Sequence, residues 1–412
     1  MTTSSMVPVL VAMMLLTGVS NTMLTKFQDQ QCVSNCDSLD PSKRKHFEQP
    51  VWQTLQMFVG EMGCWLVIGL TALYNRYSRT AAYTALPTTD TDTDTDNTNT
   101  TPTAHSTLLP KPDDAPNTLR GTRVVLLALP AICDICGTTL MNVGLLLVAA
   151  SIYQMTRGAL VLFVGLFSVI FLRHKLHAFQ WLSLAGVVAG VAVVGLAGAI
   201  YPDHPRDAVA KAVRSAVEGA PEKTAALAVV GVLLIAGAQI FTATQFVLEE
   251  WIMANSPVDP ITMVGYEGIF GFLVTLFGMA AMHVVYGQTD AGRGSIFDMA
   301  EGWRQMTSSR ELVLSSFLIM ISIGGFNFFG LSVTRSVSAT SRSTIDTCRT
   351  LFIWIASLAL GWETFKWLQV LGFVLLVYFT FVFNGLVQPP LKCLRVDEPV
   401  EELLPEEPIE HI

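Results

Sequence analysis

Apolar residues in this chain come in long uninterrupted runs rather than in the short periodic stripes of a soluble fold. The stretch from Ala150 to Gly195 holds two of them, each about 20 residues, the length that crosses the ~30 Å hydrocarbon core of a bilayer. The basic turn Arg173-His174-Lys175-Leu176-His177 joins them. Similar runs begin at Val7 and cover Val51–Tyr74, Val124–Ala149, Thr224–Leu248, Ile261–Tyr286, Leu312–Val333, Ala339–Leu360 and Trp367–Leu386. The first run has no basic residue before it and no small-residue cleavage site after it, so it reads as a retained span, not a signal peptide. Polar stretches separate the runs. Residues 75–120 contain TTDTDTDTDNTNTTPT and have almost nothing to bury, so a disordered linker is expected there. Residues 201–223 divide the chain, and an acidic, proline-containing tail over 388–412 is also expected to be disordered.

Polar residues inside the runs carry more information than the runs themselves. Tyr153, Gln154 and Arg157 share one helical face near the start of the fourth run. An arginine at membrane depth costs on the order of 3 kcal/mol unless it meets a partner or a watery cavity. The plan returns over Ser338–Leu386, where a hydroxyl-rich start and a second charged face, Arg342, Asp346 and Arg349, lead into a spanning run, a turn and another run. Glu61, between Gly60 and Gly63, is answered by Glu267 between Gly265 and Gly268; Asp134 is answered by Asn327. The chain looks duplicated, with residues 1–200 and 224–387 as the two units. Five spans per unit is an odd number, so the second unit starts on the opposite side of the membrane. The expected fold is therefore an all-α membrane protein of ten transmembrane helices in two inverted five-helix repeats, a plan common in secondary transporters, whose site lies at mid-membrane between the repeats.

Composition agrees with a polytopic protein: 51% of the 412 residues are hydrophobic and 14% charged, and mean hydropathy is +0.48. Much of the acid behind the net charge of −8 sits in the tail, so the charge says little about a ligand and nothing points to nucleic acid. Lys and Arg are about equally frequent in the loops of both sides, so sidedness does not follow from charge. There is no Gly-x-x-x-x-Gly-Lys motif, nucleophile–base cluster or zinc-ligand spacing; neither an enzyme nor a cofactor or metal is expected. Cys133 and Cys136 share the spacing of a redox motif but lie in an apolar run without its context. Cys32 and Cys36 share a polar loop, where a disulfide and two free thiols are equally compatible.

Each polar mark has two readings. Asp346 either neutralises a neighbouring arginine or leaves at least one of Arg342 and Arg349 for substrate. Arg157 has no acid three or four residues away and needs a carboxylate from another helix or an anion. Glu61 and Glu267 serve helix–helix hydrogen bonding or gating and coupling; Asp134, in line with Thr138 and Asn142, and Asn327 bridge helices or line a cavity. Substrate contact is assigned to Tyr153, Gln154, Arg157, Arg342, Asp346, Arg349, Asp134 and Asn327, and coupling or gating to Glu61 and Glu267. The arginine fork suits carboxylate or phosphate, so an anionic metabolite is favoured.

Several segments carry a resemblance to a known family. They are Thr17-Gly18 with Asn21-Thr22 and Lys26, MFVGEMGC (57–64), LPAICDICGTTLMNVGL (129–145) and SIYQMTRGALVLFVGLFSVIFL (151–172) in the first half. The second half contributes QFVLEE (245–250), GYEGIFGF (265–272), FNFFGLSVT (326–334) and SATSRSTIDTCRTLFIWIASLALGWE (338–363). Together they resemble the drug/metabolite transporter superfamily and, within it, the F subgroup of solute carrier family 35. The likeness touches all ten expected spans and omits the linker and tail. It implies the ten-helix inverted-repeat fold, cytosolic termini and an endomembrane, lysosomal first, with mitochondrial or Golgi membranes as alternatives. The Asn-pair and Gly-x-Asn-Lys motifs of Golgi nucleotide-sugar carriers are missing. A small-molecule substrate and the bilayer are the expected partners; a homodimer or a membrane-protein partner stays open, as does a non-transporting scaffold that keeps the fold. With a cytosolic N-terminus the linker is cytosolic and presents Tyr83-Thr84-Ala85-Leu86, of the kind that adaptors read for lysosomal delivery; its Asn99-Thr100-Thr101 sequon then escapes glycosylation.

Overall fold

The computed structural model describes residues 3–34, 36, 45–47, 49–83, 121–147, 156–200, 221–256, 258–290, 292–362 and 365–389. Most of the inter-run linker with its Thr84-Ala85-Leu86 and Asn99 signals, the 201–220 stretch and the tail beyond Pro389 lie outside the described residues.

The apolar runs form helices. These are α1 (Thr3–Asp29), α2 (Pro50–Tyr83), α3 (Ala128–Leu147, preceded by a 3-10 turn over Gly121–Leu127), α4 (Leu160–Phe171), α5 (Ala178–Ile200) and α6 (Pro221–Asn255). They continue with α7 (Pro260–Met282), a short α8 (Met299–Met306), α9 (Arg310–Ser336), α10 (Ala339–Ala359) and α11 (Trp367–Phe383). Two additions did not show in the hydrophobic pattern: α8 itself and a hairpin of β1 (Cys32–Ser34) and β2 (Lys45–His46) between α1 and α2. Cys32 and Cys36 are disulfide-bonded beside that hairpin.

Among the described residues, seven helices are long and apolar enough to cross a membrane, and α4 and α11 are shorter apolar helices. Helix α10 has the length, at 21 residues, but carries Arg342, Asp346 and Arg349. Leu66, Leu73, Leu233, Phe277 and Val374 stand exposed on the outer faces, which a bilayer explains and water would not. Inside the helices Thr17, Ser332 and Thr334 donate to the carbonyl one turn back, as required where no water can serve them.

Helix ends follow local chemistry. Ser309 and Ser338 cap α9 and α10 by accepting from Leu312 N–H and Ser341 N–H. Pro260 sits in the first turn of α7, where its missing N–H costs nothing. Arg173 ends α4 in the left-handed conformation at φ 57°. Helix α4 packs on α6, α5 on α11, α2 on α7, α1 on α9 and α3 on α6. Glycines set the closest approaches. A Cβ at Gly60 would overlap the Met320 carbonyl, and one at Gly324 would press on the Gly60 carbonyl, so α2 and α9 touch backbone to backbone. Gly186 and Gly190, a small-xxx-small pair, do the same for α5 against Phe379 and the Leu376 backbone of α11.

Candidate functional site

Helix α6 runs past Leu248 to Asn255. That extension carries Glu249, 1% exposed, inside the bundle, where Arg342 at the start of α10, 3% exposed, donates to it through Nη1 at 2.5 Å. Gly330 of α9 makes room for the guanidinium, which also lies 4.1 Å from the Phe246 ring centroid. The arginine's Nε is buried without a hydrogen-bond partner. Next in sequence, Glu250 accepts from the Ala339 backbone N–H at 2.8 Å and lies 3.6 Å from His174. One pair of consecutive acids thus anchors the start of α10.

Around this pair three further acids converge. Glu61 of α2, 2% exposed, accepts from Asn327 Nδ2 of α9 at 2.5 Å. Glu267 of α7, 6% exposed, has its Oε1 buried without a hydrogen-bond partner. Gly268 packs directly on the Glu61–Met62 backbone, so the two acidic segments meet. Asp134 of α3 accepts from Thr138 at 3.4 Å. Glu267 lies within electrostatic range of Glu249, Glu61, Arg342 and Asp134. Acids from four helices therefore lie within electrostatic range of one another, and three of them, Glu249, Glu267 and Asp134, within range of the Arg342 guanidinium.

A second group forms on α10 one turn and two turns further in. Asp346 and Arg349 pair at 3.2 Å, with Arg349 buried and 4.7 Å from the Phe326 ring. Arg349 also feels the charge of Arg157, which sits partly buried just before α4. Among the described residues no carboxylate pairs with Arg157. Lys26 of α1 lies 5.0 Å over the Trp362 ring.

The expected residues are therefore brought together, in two groups. Asp134, Asn327, Glu61, Glu267 and Arg342 meet in the acid-rich group; Arg157, Asp346 and Arg349 meet in the basic one. Tyr153 and Gln154 lie outside the described residues. Asn142 faces outward, unlike Asp134 and Thr138 of the same stripe. Asp346 neutralises Arg349, not Arg342, because Glu249 already holds Arg342. Glu249 was missed because the apolar run ends at Leu248, and an acid just past a span reads as solvated. Its signal was the Glu249-Glu250 doublet within QFVLEE. His174 does not simply point to water, since Glu250 lies within reach. Among the described residues no group of three or more His, Cys, Asp or Glu is arranged to hold a metal ion.

At the opposite end of α9 the junction with α1 and α2 is built mainly from neutral amides. Gln28, fully buried, donates to Ser316 at 2.7 Å and accepts from Gln56 at 3.1 Å and Gln53 at 3.3 Å. Gln53 also donates to Asp29 at 2.6 Å. Amide side chains make most of the bonds at this end, with the Asp29 carboxylate at its edge.

Comparison with known proteins places the chain. Residues 117–246 match the model of the nucleotide-sugar transporter family. An uncharacterised protein of Schizosaccharomyces pombe is 37% identical over 92% of this chain and 97% of its own length. Solute carrier family 35 member F6 of Homo sapiens is 34% identical over 95% of this chain and 92% of its own length. The counterpart in Rattus norvegicus is 33% identical over 95% of this chain. With buried ionisable groups shared among membrane helices and likeness along nearly its whole length, the chain belongs to solute carrier family 35 and is a multi-pass membrane protein of a transporter family.

Proposed function

We propose that the chain is a secondary carrier that moves a small anionic metabolite across an endomembrane by alternating access, without ATP. The observation that carries this reading is the pair of charged groups buried at membrane depth and drawn from both halves of the sequence. Burying charge in a bilayer is costly, and such groups pair with one another or mark substrate and ion pathways. In this reading Arg157 and Arg349 hold the anion, with Asp346 released when it binds; Arg342, Asp134 and Asn327 line the same path, as do Tyr153 and Gln154, while Glu61 and Glu267 couple or gate.

The helix pairing supports ten spans in two inverted repeats, 1–200 and 224–387, separated by 201–223. Exchanging the halves maps α1–α9 onto α6–α3, and α1–α10 onto α6–α4; α2–α7, α4–α10 and α5–α11 map onto themselves. A two-fold relation between the halves produces this pattern, and an odd number of spans in each half would place its axis in the membrane plane. The Cys32–Cys36 disulfide supports a luminal place for the loop after α1, since disulfides persist in oxidising compartments. That leaves the N-terminus and the 75–120 linker cytosolic and favours lysosomal sorting through Tyr83, over mitochondrial or Golgi membranes.

The test is uptake into proteoliposomes from a panel of organic acids, phosphate esters and nucleotide sugars, the last being the class that the matching family model names. Arg157→Ala and Arg349→Ala, each checked for abundance and folding, are expected to lower uptake of the transported compound at least tenfold. Full uptake by either variant removes that arginine from the site. A scaffold reading draws on one observation, the internally neutralised Glu249–Arg342 pair. It is the better account if no compound in the panel moves and both variants stay folded.

A further inference from the structure

The Arg342 fork is half used. One nitrogen serves Glu249, while the Nε is buried with no hydrogen-bond partner. Glu267, within electrostatic range of that arginine, has one carboxylate oxygen in the same condition. A buried donor and a buried acceptor each left unmade are costly. Two such atoms beside one ion pair call for an explanation, and use in another state supplies one. The flat guanidinium presents five N–H donors and can face two carboxylates in turn. Among the described residues the other charges that act on Glu267 are acidic: Glu61 on α2, Asp134 on α3 and Glu249 on α6. Glu61 already accepts from Asn327, and Asp134 from Thr138.

We infer that Arg342 is shared between Glu249 and Glu267, and that a single coupling proton occupies whichever of the two carboxylates the arginine leaves. The step is simple to balance. A proton from the bathing water forms one O–H bond on the free carboxylate and departs to water when the arginine returns; no other bond changes and no electrons move. Because Glu249 lies in the last two turns of α6 and Glu267 about two turns into α7, the transfer of the arginine moves the start of α10 relative to the α6–α7 pair. Ala339 is held to Glu250 of that same pair. The proton site is thus wired to a helix that also carries Arg349. Calling this proton a coupling ion rests on the carrier reading above; its existence does not.

The experiment reads the protonated-carboxyl band by infrared spectroscopy on the full chain reconstituted in lipid, without substrate, while pH is varied. Wild type is expected to show, beside any carboxyl band of Glu61 or Asp134, one that disappears as pH rises. Glu267→Gln should lose it, since Arg342 then pairs with Glu249 alone. Glu249→Gln should lose it as well, since the arginine passes to Glu267. A band that survives Glu249→Gln means a fixed structural pair and overturns the sharing; one that survives Glu267→Gln places the proton elsewhere. A band that follows sodium replacement by choline rather than pH makes the ligand a metal cation and also overturns the proposal. Should Glu249→Gln fail to fold, Arg342→Lys decides: the ammonium keeps the charge but cannot span both carboxylates, so the midpoint should move. An unmoved midpoint counts against sharing. Arg157→Ala is expected to leave the band intact while uptake falls, which separates failure of this proposal from failure of the anion site.

Discussion

Two junctions at opposite ends of α9 solve the same problem by different chemistry. Where α1 and α2 meet the start of α9, the buried bonds run between neutral side chains, Gln28, Gln53, Gln56 and Ser316, and Asp29 joins only through Gln53. Where α6, α7 and α10 gather near its other end, closure depends on Glu249, Glu267 and Arg342. A neutral amide network holds with the same strength whatever ion or pH bathes it. A charged junction with more acids than bases can be opened or closed by one proton or one anion. That difference assigns the neutral junction to holding shape and the charged junction to responding.

Each half of this contrast can be broken by substitution. The largest effect is expected from Arg342→Ala. It leaves Glu249 buried with no cation, and stability should fall by about 3–5 kcal/mol, read as a lower melting temperature in detergent. Arg342→Ala combined with Glu249→Leu should recover most of that loss without recovering transport. A single variant that melts like wild type would mean that the charged junction is not held by its ion pair.

Gln28→Leu should cost about 1–3 kcal/mol, because Ser316 and Gln56 lose a buried partner. Its melting loss should be the same at neutral and mildly acidic pH, whereas that of Arg342→Ala should shrink on acidification, as protons replace the missing arginine. Equal pH responses in the two variants would erase the distinction between the junctions.

The smallest effect marks the control region outside the bundle. Asp298 caps α8 by accepting from Glu301 N–H, and the Gly294 N–H, ahead of its other partners, holds its carboxyl below the usual carboxylate range. A lowered value means stability that is present above the ordinary carboxylate range and lost as pH falls through the folded one. Asp298→Ala should cost about 1 kcal/mol or less at neutral pH and nothing in acid. A loss comparable to that of Gln28→Leu would show that the α8 loop braces the bundle.

The amino-acid sequence by itself determined that this chain lives in a membrane and where its helices lie. Runs of about 20 apolar residues have few other solutions, since every backbone group in lipid must bond within its own helix. It also flagged the charges that matter, because arginine and glutamate at membrane depth are costly enough to stand out one residue at a time. Partner choice was not legible. Arg342 and Asp346 share a helix face, yet Glu249, remote in sequence, takes Arg342, and only the packing of α6 against α10 settles that. Glu249 itself hid because the hydrophobic run stops one residue short of it while the helix continues. Gln28 and Ser316 were equally silent, for a neutral polar residue in a span costs little until its surroundings are known. Pairing across a bundle depends on helix rotation and depth. Those are fixed by close contacts such as Gly60 on Met320 and Gly268 on Glu61, so only the tertiary structure decided which charges meet.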